Sequence, residues 1–280
     1  MGVFTHSNDG DAMQPDADDL FPQTLARAIK AGELRLHYQP RYQCNSGAIS
    51  LFETLVRWQR PEVGLLYPAA FLPHAEQHGL MFTVSQWVFN QACEDLIWMR
   101  EHLNPNCRLA INLSLQECES LYHAQKLYEI CTARGLELAD FEFEITESNC
   151  PRDSRKIESF CNTLNRLGAC FSLDDFGTRF SPLNHICSLP VSAIKIDKCF
   201  VRDIGDNYTL HILVSNLIHL AKDMNITTVA EGVENALQAK ILTEMGCDEL
   251  QGYYICEPRC LRRLQQSELA ELVHNPRHVH

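Results

Sequence analysis

No apolar run in this chain of 280 residues reaches the roughly 18 needed to cross a bilayer. No basic segment leads into an apolar stretch at the N-terminus, so a secretory leader is not expected. The 13 cysteines form no Cys-x-x-Cys pair, and several, such as Cys170 and Cys199, sit inside apolar runs. That excludes a disulfide framework and points to small core residues in a reducing cytoplasm. Positive charge is scarce. Lys and Arg number 24 against 36 Asp and Glu, for a net charge of -12. Such a balance repels polymeric nucleic acid and leaves room only for a small anion held by local cations. Also missing are a P-loop, a G-x-G-x-x-G turn, a G-x-S-x-G elbow and a His-x-His on any strand-like segment. His74 and His78 are four apart with Glu76 between them, but a solvated helix face is the simpler expectation than a metal pair. Cys256 and Cys260 have no histidine near them in sequence to activate a thiol.

Residues 1–19 carry five Asp and no Lys or Arg, which reads as a disordered acidic tail or linker. Residues 274–280 read as a flexible C-terminal tail, leaving one folded domain over 20–273. Within it, strand-like segments recur at Leu34–Pro40, Ala48–Trp58, Arg108–Ser114, Phe141–Glu147, Cys170–Phe176, Ala193–Lys198, Thr227–Gly232 and Glu249–Tyr254. Helical spacing of apolar residues marks Phe71–His102, Glu117–Arg134, Ser154–Leu167 and Leu210–Met224. Alternation of this kind predicts an α/β fold, a (β/α)8 barrel of the TIM type. Only Arg41–Gly47 separates the first two strands, too little for a parallel crossover, so the barrel is expected to be modified, with an antiparallel first strand.

In such barrels chemistry lies at the C-terminal ends of the strands. Those ends carry Glu53 and Arg57, Asn112, Glu144 and Glu147, Asp174 and Asp175, Lys195, Glu231, and Gln251. Each has a structural alternative. Glu53 could pair with Arg57, the Asp pair could form a turn or cap, Asn112 could satisfy buried backbone, Lys195 could snorkel outward, and Glu231 with Glu234 could cap a helix. Together they make a ring of oxygen ligands with one lysine, and carboxylate and amide oxygens suit Mg²⁺ or Mn²⁺ better than zinc. A glycosidase could also use strand-end carboxylates, but has no need of so many acids with an Asn and a Lys.

Tyr38-Gln39-Pro40, Glu53-Thr54-Leu55-Val56-Arg57-Trp58, Ile111-Asn112-Leu113-Ser114, Glu144-Ile-Thr-Glu147, Asp174-Asp175-Phe-Gly-Thr178, Ile194-Lys195-Ile196-Asp197, Ala230-Glu231-Gly232-Val233-Glu234 and Gln251-Gly252-Tyr253 follow one another in order. In this series the sequence resembles the EAL phosphodiesterases, from about Leu20 to Leu272. The resemblance implies hydrolysis of cyclic di-GMP to linear pGpG with two divalent cations, Mg²⁺ or Mn²⁺, and inhibition by Ca²⁺. It implies that Glu53, Asn112, Glu144 and Asp174 hold one cation, and that Asp174, Asp175 and Glu231 hold the second. Lys195 would contact the attacking water, Gln251 would order the water network, Gln39 and Arg57 would touch substrate, and Glu147 would anchor the loop after Asp175. A homodimer is implied as well. The alternative within the family is a catalytically weak domain that serves as a cyclic di-GMP receptor. The chain departs from the pattern at Thr54, Arg41, Arg179 and Pro182. The last two put the regulatory loop in doubt, and the sequence assigns no role to Arg41.

Overall fold

The computed structural model describes residues 21–146, 155–176 and 188–265. Both expected tails, Glu147, Arg179 and Pro182 lie outside the described residues. The chain runs α1 (Phe21–Lys30), β1 (Leu34–Gln43), β2 (Ile49–Arg60), β3 (Gly64–Leu66), α2 (Pro68–Gln77), α3 (Met81–His102), β4 (Arg108–Leu113), α4 (Leu115–Cys118), α5 (Leu121–Thr132) and β5 (Phe141–Thr146). It continues through α6 (Arg155–Arg166), β6 (Cys170–Phe176), β7 (Ala193–Ile196), α7 (Lys198–Val201), α8 (Tyr208–Asp223), β8 (Thr227–Ala230), α9 (Ala236–Glu244), β9 (Glu249–Leu250) and α10 (Leu261–Gln265). The strands are ordered β1-β9-β8-β7-β6-β5-β4-β2-β3, and β1 also pairs with β2. Eight strands therefore close into a barrel with β3 appended. The expected hairpin is present: β1 is antiparallel to β2, with Gln39 opposite Glu53. β1 is antiparallel to β9 as well, so it alone runs against the other barrel strands.

Three elements differ from the periodic pattern. The long helix expected over Phe71–His102 is broken where Gly79 takes φ 67, a left-handed turn open to glycine that ends α2. The helix expected over Glu117–Arg134 restarts at Ser120, whose hydroxyl accepts from the His123 amide and caps α5. β3 arises because Glu62 and Gly64, both at positive φ, turn the chain back onto β2.

Period-two alternation decides what faces the barrel interior. On β5, Phe141 and Phe143 point outward into the helix layer, with Phe89 of α3 4.8 Å from Phe141 and Phe171 of β6 5.8 Å from Phe143. Glu142 and Glu144 therefore point inward. A slip of one residue would put two acids into that apolar layer and lose about 1.5–3 kcal/mol per displaced aromatic. Packing outside the barrel thus aims the acids inside it.

Candidate metal centre

Lys195 of β7 occupies the middle of the barrel. It is 1% exposed. Its Nζ lies 2.6 Å from Glu231 Oε1, 3.0 Å from Glu144 Oε2, 3.2 Å from Asp174 Oδ1 and 3.7 Å from Glu53 Oε2. Burial alone would lower the pKa of the ammonium, but Glu144 and Glu231 foremost among the acids outweigh it and raise it well above the ordinary lysine value. The outward, snorkelling alternative is thereby excluded for this side chain.

The acids come from four strands or strand ends. Glu53 does not pair with Arg57. Its Oε1 accepts from Asn112 Nδ2 at 3.1 Å and its Oε2 from Gln251 Nε2 at 2.5 Å. Burial pushes its pKa up, yet Lys195, Arg41 and these two donors pull it below the usual carboxylate value. Glu231 follows β8 and does not cap a helix, since Asn235 caps α9. Burial pushes the Glu231 carboxyl up to about 7 against the opposing pull of Lys195, and Asp174 adds to the rise.

Asp174 and Asp175 are neighbours, and in a regular strand they would face opposite sides. Here the pairing of β6 with β7 shifts register between Leu173 and Phe176, and Asp175 takes φ 56. This irregularity turns both carboxylates to the same side. One oxygen each from Asp174, Asp175 and Glu231 then lies within 4.8 Å of the others. Burial, then Asp174 and Asp197, raise the Asp175 carboxyl. Crowded like charges with all-oxygen donors fit a hard divalent cation, and Asn112 and Glu53 add oxygens beside them.

Gln251 Nε2 also donates to Gln39 Oε1 at 3.1 Å, and Gln39 Nε2 donates to the Cys256 carbonyl at 3.0 Å. Gln251 directly follows the short β9, and Gly252 is required next to it: a Cβ there would sit 2.2 Å from the Val233 carbonyl oxygen. Arg57 is buried, gives Nη1 to the Val56 carbonyl, and stacks its guanidinium 4.8 Å from the Tyr67 ring centre. Gln39, Glu53, Glu231, Gln251 and Tyr253 line an opening of about 280 Å³ at this end of the barrel. A second, more apolar cavity of about 590 Å³ shares Glu53, Leu55 and Asn112 with the site and extends between Leu72, Pro73, Val84 and Val88.

A match to the EAL domain family covers residues 23–258. This chain belongs to the EAL domain family. It is 32% identical over 243 residues to the bifunctional diguanylate cyclase/cyclic di-GMP phosphodiesterase MucR of Pseudomonas aeruginosa, covering 87% of this chain and 36% of that protein. It is 33% identical over 234 residues to the cyclic di-GMP phosphodiesterase PdeR of Escherichia coli, covering 84% and 35%. The PaMucR phosphodiesterase in complex with c-di-GMP superposes with a TM-score of 0.81 at 32% identity, over 87% of this chain and 99% of that one. The chain thus spans about a third of the length of the curated relatives named here.

The contacts above bring together the expected site residues that the structure describes, apart from Arg57, which packs on Tyr67. His74 and His78 are not among them. Their half-buried rings pack on Phe21 at 5.6 and 5.7 Å, so they are neither a metal pair nor a simple solvated face. Cys256 is buried and its thiol is pushed up by burial, in keeping with an inert residue. Sequence reasoning missed Leu55 and Tyr253 as cavity walls and left Arg41 without a role. The signal for Arg41 was its parity with Gln39, which places both on the inward face of β1.

Proposed function

We propose that this domain is a metal-dependent phosphodiesterase that hydrolyses cyclic di-GMP to linear pGpG. The observation that carries the reading is the buried Lys195 ammonium within 3.7 Å of Glu53, Glu144, Asp174 and Glu231 at the catalytic end of the barrel. Glu53, Asn112, Glu144 and Asp174 would hold one divalent cation, and Asp174, Asp175 and Glu231 would hold the other. Mg²⁺ or Mn²⁺ in these positions supplies Lewis-acid activation of water and neutralises the phosphodiester. That charge also explains how a chain of net charge -12 accepts a dianion.

The side chains divide the remaining work. Lys195 donates to the attacking water and to the phosphoryl oxygens from a fixed position, because its carboxylate neighbours keep it protonated. Gln251, already donating to Glu53, orders water beside it. Gln39, which lines the opening, and Arg57 contact substrate. The large apolar cavity beside Glu53 has room for an organic part of the ligand.

A homodimer fits the exposed face of α8, where Tyr208 is 78%, Ile212 44%, Leu213 40% and Leu220 39% exposed. Light scattering on the wild type and on Leu213→Asp tests this, with loss of the dimer mass as the expected result.

The functional test is incubation of pure protein with cyclic di-GMP and Mn²⁺, followed by separation of products. Linear pGpG, absent when a chelator is present, is the expected outcome. Tight binding without cleavage would replace the enzyme with a receptor.

A further inference from the structure

Arg41 is the largest charged side chain enclosed by the barrel, with its side chain 0% exposed. Its Nη1 donates to Glu142 Oε1 at 2.8 Å and lies 3.8 Å from Glu249 Oε2. Its Nη2 donates to Glu144 Oε1. All of these partners lie one step deeper than the open end, or reach down from it. Arg41 follows Gln39 by two residues on the antiparallel β1, while Glu142 and Glu249 precede Glu144 and Gln251 by two on parallel strands. Arg41 therefore approaches Glu144 from below.

Glu144 is thus divided between two cations. Arg41 holds Oε1 from the floor of the barrel, and Lys195 lies 3.0 Å from Oε2 toward the open end. The two contacts differ in how easily they give way. Lys195 has three other carboxylates within 3.7 Å to take up its ammonium. Arg41 is wholly buried with both arms of its planar fork engaged, so it has no other place to go.

We propose that Arg41 is a positioning residue of the metal centre, holding Oε1 of Glu144 so that this carboxylate presents Oε2 alone to a cation. The inference rests on the reading of the acid ring as a divalent-cation site. One-oxygen coordination suits a small cation that demands near-octahedral geometry. Ca²⁺ takes more oxygens and readily accepts both from one carboxylate. Arg41 accordingly acts on selectivity: it favours Mn²⁺ or Mg²⁺ over Ca²⁺ by withholding the second oxygen.

The test is calorimetric titration of metal-free protein with Mn²⁺ and, separately, with Ca²⁺. Arg41→Lys keeps the charge but replaces the planar fork, whose Nη1 serves Glu142 and Nη2 serves Glu144, with a single mobile ammonium that does not fix Oε1 of Glu144 in the same place. It is expected to weaken Mn²⁺ binding about tenfold, as removal of a partner that orients a ligand does, and to weaken Ca²⁺ binding less, so that the preference narrows. Glu142→Gln leaves the Arg41 contact to Glu144 in place and is expected to keep the wild-type preference. Should Arg41→Lys fail to fold, the double variant Arg41→Met with Glu142→Gln removes the cation together with one of its acids and is read the same way. A folded Arg41→Lys with an unchanged Mn²⁺ to Ca²⁺ ratio overturns the proposal while leaving the metal centre intact. A wild type that binds neither cation overturns the site reading and this proposal with it.

Discussion

Lys195 and Arg41 both lie inside the barrel with almost no exposure, yet their surroundings differ. Around Arg41 the two Nη atoms engage Glu142 and Glu144, while its buried Nε has no hydrogen-bond partner. Glu142 is held below the usual carboxylate value because Arg41 outweighs the upward push of burial. Around Lys195 four carboxylates gather within 3.7 Å, and Glu231 is driven up to about 7 by burial, with Asp174 adding to the rise. That upper layer also opens to the 280 Å³ cavity. A buried charge layer set away from the opening is structure, and one with acids facing an opening is built for cations to arrive.

Four substitutions sharpen or break this contrast. The largest effect is expected from Asp174→Asn in the upper layer: turnover of cyclic di-GMP with Mn²⁺ should fall by roughly a thousandfold. The melting temperature in chelator should hold or rise, because one like charge has left a crowded ring. A marked loss of stability without metal would mean that Asp174 is structural. Next is Lys195→Met, which strands several acids around an apolar side chain. Unfolding in denaturant with chelator present should show a loss of about 3–5 kcal/mol, and Mn²⁺ should recover part of it. No recovery with Mn²⁺ would erase the proposed difference between the layers.

Glu142→Gln probes the lower layer. It should cost about 1–3 kcal/mol, by the same amount with and without Mn²⁺. A strongly metal-dependent cost would join the two layers into one. The smallest effect belongs to Glu249→Gln, whose carboxylate is 3.8 Å from Arg41. Its cost should be within about 1 kcal/mol, measured in the same denaturant series.

The outline of the barrel was legible because alternation and short connections are local properties. The seven-residue link Arg41–Gly47 forced the antiparallel hairpin, and the register of β1 on β2 agrees. The broken helices were not legible, since Gly79 and Ser120 interrupt a periodicity that continues on either side of them. Lys195 was ambiguous in one dimension: between two isoleucines it could face in or out, and only barrel closure brought four carboxylates to it.

By itself the sequence determined the barrel class, the family, and which residues belong at the open end, because residue type and spacing along a strand survive without knowledge of neighbours. The tertiary structure decided which groups meet. Asp174 and Asp175 share a side only because β6 slips against β7 and Asp175 accepts a positive φ, which no alternation rule predicts. Arg41 reaches Glu144 across 103 residues of chain because β1 runs against the other strands and carries its guanidinium beneath the site. Contacts between strands far apart in sequence depend on closure and register, and neither is written in any single segment.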